Sequence, residues 1–159
     1  QGMILALVHL VNRSASIALV AASLAIIRSR AETDAFAGIR GLTRALPIAS
    51  TGFLLGGLAL AGFPFTAGFP THWAVARAAS NEQWVWAIPI LLSSLGIIVG
   101  LLRALGSSLG VNQHLSSRRQ PLFSSFMVLV LACLVVYLGV QPHLFLETIR
   151  GAVRSLSLF

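Results

Sequence analysis

Two histidines lie in the apolar stretches of this sequence, and they are the side chains there that could move a proton: His9 and His72. Histidine changes charge near neutral pH, so it can accept and release a proton along a chain of water molecules. Arg13 lies four residues after His9, but arginine does not deprotonate in proteins and can only tune its neighbours. Together with Asn12 and Ser16, these three side chains form the predicted proton path.

Each of these groups also has a purely structural interpretation. His72 would then be a neutral ring hydrogen-bonded across an interruption in the chain, and Arg13 would pair with carbonyl oxygens or a partner acid to hold helices together. The four acids lie in predicted loops or at helix ends, at Glu32, Asp34, Glu82 and Glu147. The sequence has no serine triad, phosphate loop, metal-ligand cluster or dinucleotide fingerprint. It therefore predicts no enzyme active site, no metal and no cofactor in this chain.

The first predicted span, residues 2–27, must position part of this path. At 100° per residue, one stripe of the helix holds His9, Asn12, Arg13, Ser16 and Ser23. A charge near the centre of a membrane helix costs at least about 2.5–3.5 kcal/mol. We therefore expect the stripe to face neighbouring helices or water rather than lipid.

A cluster of glycines and prolines interrupts the chain just before His72. Its residues are Gly62, Pro64, Gly68, Phe69 and Pro70. Irregular backbone at membrane depth is tolerated only where protein or a water-filled cavity surrounds it. Residues 69–80 would rise only about 18 Å as a helix, too little to cross a core of about 30 Å. We interpret residues 69–80 with 84–105 as one discontinuous transmembrane helix, a feature that marks ion sites in transporters.

Composition identifies the class of protein. Of 159 residues, 57% are hydrophobic and 9% are charged, and the mean hydropathy is +0.89. Soluble domains carry about 25% charged residues, so the sequence predicts an integral membrane protein. The apolar runs lack period-two alternation, which favours an all-α polytopic bundle over a barrel. The net charge of +7 comes from 11 arginines, six of which lie in the predicted loops 28–44 and 106–121 between spans, and this placement argues against a nucleic-acid partner.

The chain is predicted to form a single transmembrane domain over residues 1–159. The predicted spans are residues 2–27, 46–63, 69–80 with 84–105, and 122–140, and residues 143–159 form an amphipathic tail. No leader-like region precedes the first span, so we interpret the chain as the C-terminal portion of something longer. The Arg-containing loops 28–44 and 106–121 would share one side, the cytoplasm by the positive-inside rule.

The run from Gly41 to Trp73 resembles the antiporter-like proton-translocating subunits of respiratory complex I. It is similar also to membrane subunits of Mrp-type cation/proton antiporters and membrane-bound hydrogenases. The matching positions are Gly41, Leu42, Pro47, Gly62, Pro64, Gly68, Phe69, Thr71 and His72. The first span, HLVNRSASIAL, resembles the family's preceding helix, and Arg103 resembles the arginine that closes its broken helix.

The resemblance implies a fold of two inverted five-helix repeats, each with a broken helix, of which this chain would be most of the second. Among the subunits of the NADH–quinone enzyme, the chain resembles the chain N type. The implied partners are the lipid bilayer and other membrane subunits of a multi-subunit complex, with redox cofactors in other subunits. The implied location is the cell or inner membrane, with the membrane of an organelle as the alternative.

The sequence departs from the family pattern at four positions. The family's lysine on the first helix falls on Ile17 and its histidine on Arg13, and the chain has no lysine at all. The lysine or glutamate at the break is His72, and the second proline there is Phe65. Three hypotheses follow: a proton-translocating subunit in which His72 is the carrier, a non-conducting scaffold or accessory subunit, and a subunit of an Mrp-type cation/proton antiporter.

Overall fold

The computed structural model describes residues 2–31, 41–109 and 122–143, together with residues 147 and 151. All regular structure in these residues is helical, which confirms the predicted all-α bundle. The helices are α1 Gly2–Ala31, α2 Leu42–Ala45, α3 Pro47–Leu60, α4 Gly68–Glu82, α5 Ile88–Ser108 and α6 Leu122–Val140, with a 3-10 helix at Trp84–Ala87 between α4 and α5.

Three of these helices are long and apolar enough to cross a membrane, namely Gly2–Arg30, Ile88–Ser108 and Leu122–Val140. Most of their surface in the bundle is apolar and open, as expected for helices that face lipid or other membrane helices. The chain is therefore a membrane protein. The apolar helix α3 has 14 residues and a length of about 21 Å, so it is shorter than the predicted span of residues 46–63.

Local sequence sets both ends of α3. Leu46 has φ −130° and ψ 64°, because the residue before a proline is disfavoured in the helical region. Pro47 then begins the helix at a position where its missing N–H costs nothing. The C-terminal end comes at Leu60 because Gly62 adopts a left-handed φ of +76°.

Helix α3 lies at the centre of the bundle, between α1, α5 and α6. Its glycines make the close approach possible. A Cβ atom on Gly52 would lie 2.5 Å from Ser23 Oγ of α1 and 2.5 Å from Val128 Cγ1 of α6, and one on Gly57 would overlap Leu101 of α5. Small residues allow membrane helices to pack with their backbones close together. The buried core formed around this junction includes Leu19, Ala49, Ala59, Val128 and Val135.

The start of α2 and the end of α5 meet at one end of the bundle. Gly41 N–H donates to Ser108 O at 3.0 Å, and the Thr43 and Ser108 hydroxyls are 2.8 Å apart. The start of α2 and the end of α5 are therefore neighbours, which places the flanks of the two predicted Arg-containing loops on the same side. Residues 32–40 and 110–121 of those loops lie outside the described residues.

Several helix bounds differ from the predicted ones. Helix α1 continues to Ala31 rather than 27, and α5 continues to Ser108 rather than 105. The predicted polar interruption at 81–83 narrows to Gln83, whose extended backbone (φ −152°, ψ 125°) ends α4. That both pieces cross the bilayer as one discontinuous helix stays a prediction. The predicted amphipathic tail lies outside the described residues except for residues 143, 147 and 151.

We expect Gly52→Ala to destabilise the bundle by about 1–3 kcal/mol, the usual cost of overpacking a filled core. The added methyl group would have to displace Ser23 or Val128. Thermal unfolding of the detergent-solubilised protein measures the effect. Gly100→Ala is the matched control, because a Cβ atom at Gly100 in α5 meets nothing within 4 Å. Equal shifts for the two variants would contradict the packing described for α3.

Candidate functional site

The turn that follows α3 begins with a glycine cap. Phe63 N–H donates to Leu58 O at 3.0 Å and Gly62 N–H donates to Ala59 O at 3.1 Å. With Gly62 in the left-handed region, these two bonds form a Schellman motif, which satisfies carbonyls at the end of the helix. The chain can therefore leave α3 abruptly with the Leu58 and Ala59 carbonyls paired.

A tight turn over Phe63–Thr66 reverses the chain. Thr66 N–H and Thr66 Oγ1 both donate to Phe63 O, at 3.3 Å and 2.6 Å. Pro64 occupies the second position of the turn, and Phe65 occupies the third with φ +64°. This third position favours glycine, because a side chain in the left-handed region clashes with its own backbone. The turn is thus held at the expense of local backbone strain at Phe65.

The start of helix α4 and the turn before it pack tightly against neighbouring helices. A Cβ atom on Gly68 would overlap the carbonyl oxygen of Ala59 in α3, and one on Gly139 of α6 would overlap the backbone of Thr66. Pro70 lies in the first turn of α4, where a backbone N–H has no helical partner in any case. Gly68 thus allows the start of α4 to lie against α3, and Gly139 allows the turn before α4 to lie against α6.

This docking brings the first turns of α4 against α1. His9 Nδ1 of α1 lies 3.1 Å from Thr71 Oγ1 of α4, and Thr71 Oγ1 donates to Gly68 O at 3.1 Å. A threonine hydroxyl carries one hydrogen, and here Gly68 O accepts it. In the tautomer that matches this bond, His9 Nδ1–H donates to Thr71 Oγ1 and His9 Nε2 keeps its lone pair. Thr71 is only 1% exposed, so the contact lies inside the protein.

The two predicted histidines lie side by side across the break. Their ring centroids are 5.7 Å apart and their planes are inclined by 36°. Gly62 leaves room for the His72 ring, because a Cβ atom there would lie 2.6 Å from His72 Nδ1. The rings share a small cavity, which we call the histidine cleft. Its walls are formed by His9, Arg13, Ala59, Leu60, Gly68, Thr71 and His72.

The histidine cleft offers about 10 Å³ to the centre of a water molecule. One buried water needs about 10–15 Å³ by this measure and two to four polar partners. His9, Arg13 and His72 are wall residues with nitrogen atoms that can serve as such partners. The cleft has room for about one water, and of these residues the two histidines can exchange a proton with it.

The predicted polar stripe of α1 divides in the structure. Asn12, Ser16 and Ser23 are almost fully buried between helices, His9 is half-buried, and Arg13 is exposed at the rim of the histidine cleft. Ser16 Oγ donates to Asn12 O at 2.8 Å, while Asn12 Oδ1 has no hydrogen-bond partner among the described residues. The structure thus brings together His9, Arg13 and His72, whereas Asn12 and Ser16 lie on α1 outside the cleft walls.

Sequence reasoning missed Thr71 as a site residue. The sequence shows a hydroxyl side chain next to His72, but only the packing of α4 on α1 shows that Thr71 contacts His9. Sequence reasoning also gave no role to Ser50. The Oγ atoms of Ser50 and Ser23 are buried at the junction of α1 and α3 without a hydrogen-bond partner in the part of the chain that the structure describes.

A family model described as NADH:quinone oxidoreductase/Mrp antiporter, TM, matches residues 1–98. The match covers 98 of the 159 residues, more than half of the chain. It spans α1, α3, the turn and α4, and therefore every wall residue of the histidine cleft. The family resemblance drawn from the sequence is confirmed by this match. No curated protein and no solved structure matches the chain.

We expect Phe65→Gly to stabilise the bundle by up to about 1 kcal/mol, because glycine removes the strain of a left-handed side chain. Phe65→Pro, which restores the proline of the family pattern, should destabilise it, because a proline ring fixes φ near −65°. Thermal unfolding in detergent measures both. Phe63→Gly is the matched control, since Phe63 is an exposed phenylalanine of the same turn without a positive φ. Stabilisation by both glycine variants would contradict strain at Phe65.

Proposed function

We propose that this chain, which belongs to the NADH:quinone oxidoreductase/Mrp antiporter membrane family, takes part in proton translocation by a complex I-like membrane machine, with His72 as the proton carrier. The observation that supports this proposal most is the pairing of His72 with His9 in a water-sized cleft at the break. Both residues lie in the part of the chain that matches the family.

The geometry supports a short proton relay. His9 is oriented through Nδ1 by Thr71, so its Nε2 is available to exchange a proton. His72 lies with its ring centroid 5.7 Å away, a spacing that one water can bridge. In our proposal a proton reaches one ring from the water and passes through the cleft to the other. Each ring regains its neutral form when the proton leaves.

Arg13 sets the electrostatics of this relay. A guanidinium keeps its charge, so Arg13 cannot carry a proton itself. Two protonated rings 5.7 Å apart next to a third positive charge would repel one another in a poorly solvated site. The cleft would therefore hold one transferable proton at a time. If both rings kept a proton at once, proton transfer between them would stop.

Two further functions remain as alternatives. A non-conducting scaffold is favoured by Ile17, which stands where the family has its lysine, and which is 49% exposed on α1 rather than part of the cleft. An antiporter subunit is favoured by the family description itself, which covers both oxidoreductase and Mrp members. In either alternative we expect the same fold and membership of a larger membrane assembly.

The test is proton pumping by the purified assembly in lipid vesicles. We expect His72→Gln to lower pumping at least about tenfold, because glutamine hydrogen-bonds but cannot carry a proton. His143→Gln is the matched control, since His143 is exposed and lies beyond the end of α6. We expect the control variant to pump like the unmodified assembly.

The same experiment separates the alternatives. Unchanged pumping in both His72→Gln and a His9→Gln, His72→Gln double variant would contradict the relay, and loss of assembly on deletion of the chain would then favour the scaffold. Proton flux that requires Na⁺ or K⁺ on the opposite side of the vesicle membrane would favour the antiporter subunit.

A further inference from the structure

The histidine cleft has basic side chains but no acidic one in its described walls. Helix α1 supplies His9 and Arg13, and α4 supplies His72, while α3 supplies only Ala59 and Leu60, which carry no charge. No Asp or Glu is among the wall residues that the structure describes. Once an imidazole ring takes up a proton, the cleft therefore holds two positive charges, that of the ring and that of the guanidinium.

These two positive charges make the cleft favourable for an anion. Arg13 keeps its charge when a ring is protonated, and like charges repel more strongly in a poorly solvated cleft than in water. The start of α4 and the end of α3 both border the cleft, so the positive end of one helix dipole opposes the negative end of the other. The side-chain charges therefore decide which ligand the cleft prefers.

The hydrogen-bonding groups of the cleft also favour an anion over water once a ring is protonated. An imidazolium has two N–H donors and a guanidinium has five, and neither has an acceptor. The Thr71 hydroxyl already donates to Gly68 O and lies 3.1 Å from His9 Nδ1. A water molecule among these donors finds few acceptors for its own two hydrogens, whereas an anion accepts hydrogen bonds and needs to donate none.

The size of the cleft selects the kind of anion. It offers about 10 Å³ to the centre of a water molecule, which is room for about one small ligand. A halide ion is a single atom slightly larger than a water molecule, and the exposed Arg13 side chain at the rim can move to admit it. A carboxylate or phosphate group has at least three heavy atoms and needs more room. A monatomic anion therefore fits the cleft best.

We propose that the histidine cleft binds one monovalent, monatomic anion, such as chloride, when one of its rings is protonated, with Arg13 and that ring as its ligands. The anion takes the place of the water, so it holds the proton on its ring and interrupts the proposed relay. The inference rests on the proposed function for the protonation of the cleft, but anion binding is measured at equilibrium, without pumping, so the two can fail separately.

Equilibrium binding of radioactive chloride to the purified assembly, exchanged into gluconate buffer, tests the proposal. We expect saturable binding that is at least about tenfold tighter near pH 5.5 than near pH 8, because histidine gains its charge in this range. Bromide should compete with chloride, whereas gluconate should not, because it is too large for the cleft. Absence of saturable binding, or equal affinity at the two pH values, would overturn the proposal.

Variants of the assembly assign the binding to the cleft. We expect Arg13→Gln to weaken chloride binding at least about tenfold and Arg13→Lys to retain it, because lysine keeps the positive charge. Arg77→Gln is the matched control and should bind chloride normally, since Arg77 is an exposed arginine of α4 that is not a wall residue. A His9→Gln, His72→Gln double variant should lose the pH dependence. Equal effects of Arg13→Gln and Arg77→Gln, or an unchanged pH dependence in the double variant, would rule the cleft out as the chloride site.

A measurement on the unmodified assembly applies even if Arg13→Gln prevents assembly. In a crystal structure obtained in bromide near pH 5.5, we expect an anomalous peak between Arg13 and one imidazole ring. A carboxylate in that place, or a water without anomalous signal, would overturn the proposal.

The binding and pumping experiments together separate this inference from the proposed relay. Pumping that falls in His72→Gln, without saturable chloride binding to the unmodified assembly, would support the relay and overturn the anion site. Chloride binding that depends on Arg13, together with unchanged pumping in His72→Gln, would support the anion site and contradict the relay.

Discussion

The need to satisfy backbone polar groups inside an apolar environment is the constraint on which this structure depends. Between α3 and α4 the chain leaves helical geometry next to an apolar bundle, where an unpaired buried N–H or C=O costs several kcal/mol. The glycine cap at Gly62 and the turn over Phe63–Thr66 provide internal hydrogen bonds. Gly68 and Gly139 hold the end of this irregular segment against α3 and α6, while Phe63, Pro64 and Phe65 remain exposed. The bundle around α3 is what makes the irregular segment tolerable.

The histidine cleft follows from the same constraint. Once Gly68 lies against Ala59, the first turns of α4 must lie against α1, and Thr71 and His72 meet His9. The site is thus formed by two segments more than sixty residues apart in the sequence. The glycines that bring these segments together have no side chains and take no part in proton transfer. Arg13 lines the cleft and is exposed at its rim.

Much of this was accessible from the sequence. Low charge and long apolar runs predict the membrane bundle, and the cluster at Gly62, Pro64 and Gly68 predicts the break, since these residue types favour backbone that a helix cannot adopt. The pairing of His9 with His72 was not accessible in geometric terms, because it depends on how α4 packs on α1. Thr71 was missed for the same reason. The exact end of α3 depends on the left-handed Gly62, which composition alone does not locate among four glycines.

The central claim is that His72 and His9 share a hydrated cleft through which a proton can pass. The most direct measurement is a structure of the whole membrane assembly at a resolution that shows ordered water. Our account predicts a water within hydrogen-bond distance of both imidazole rings, with His9 Nδ1 still bonded to Thr71. An apolar side chain or a lipid tail between the rings, with no water in contact with either, would contradict it.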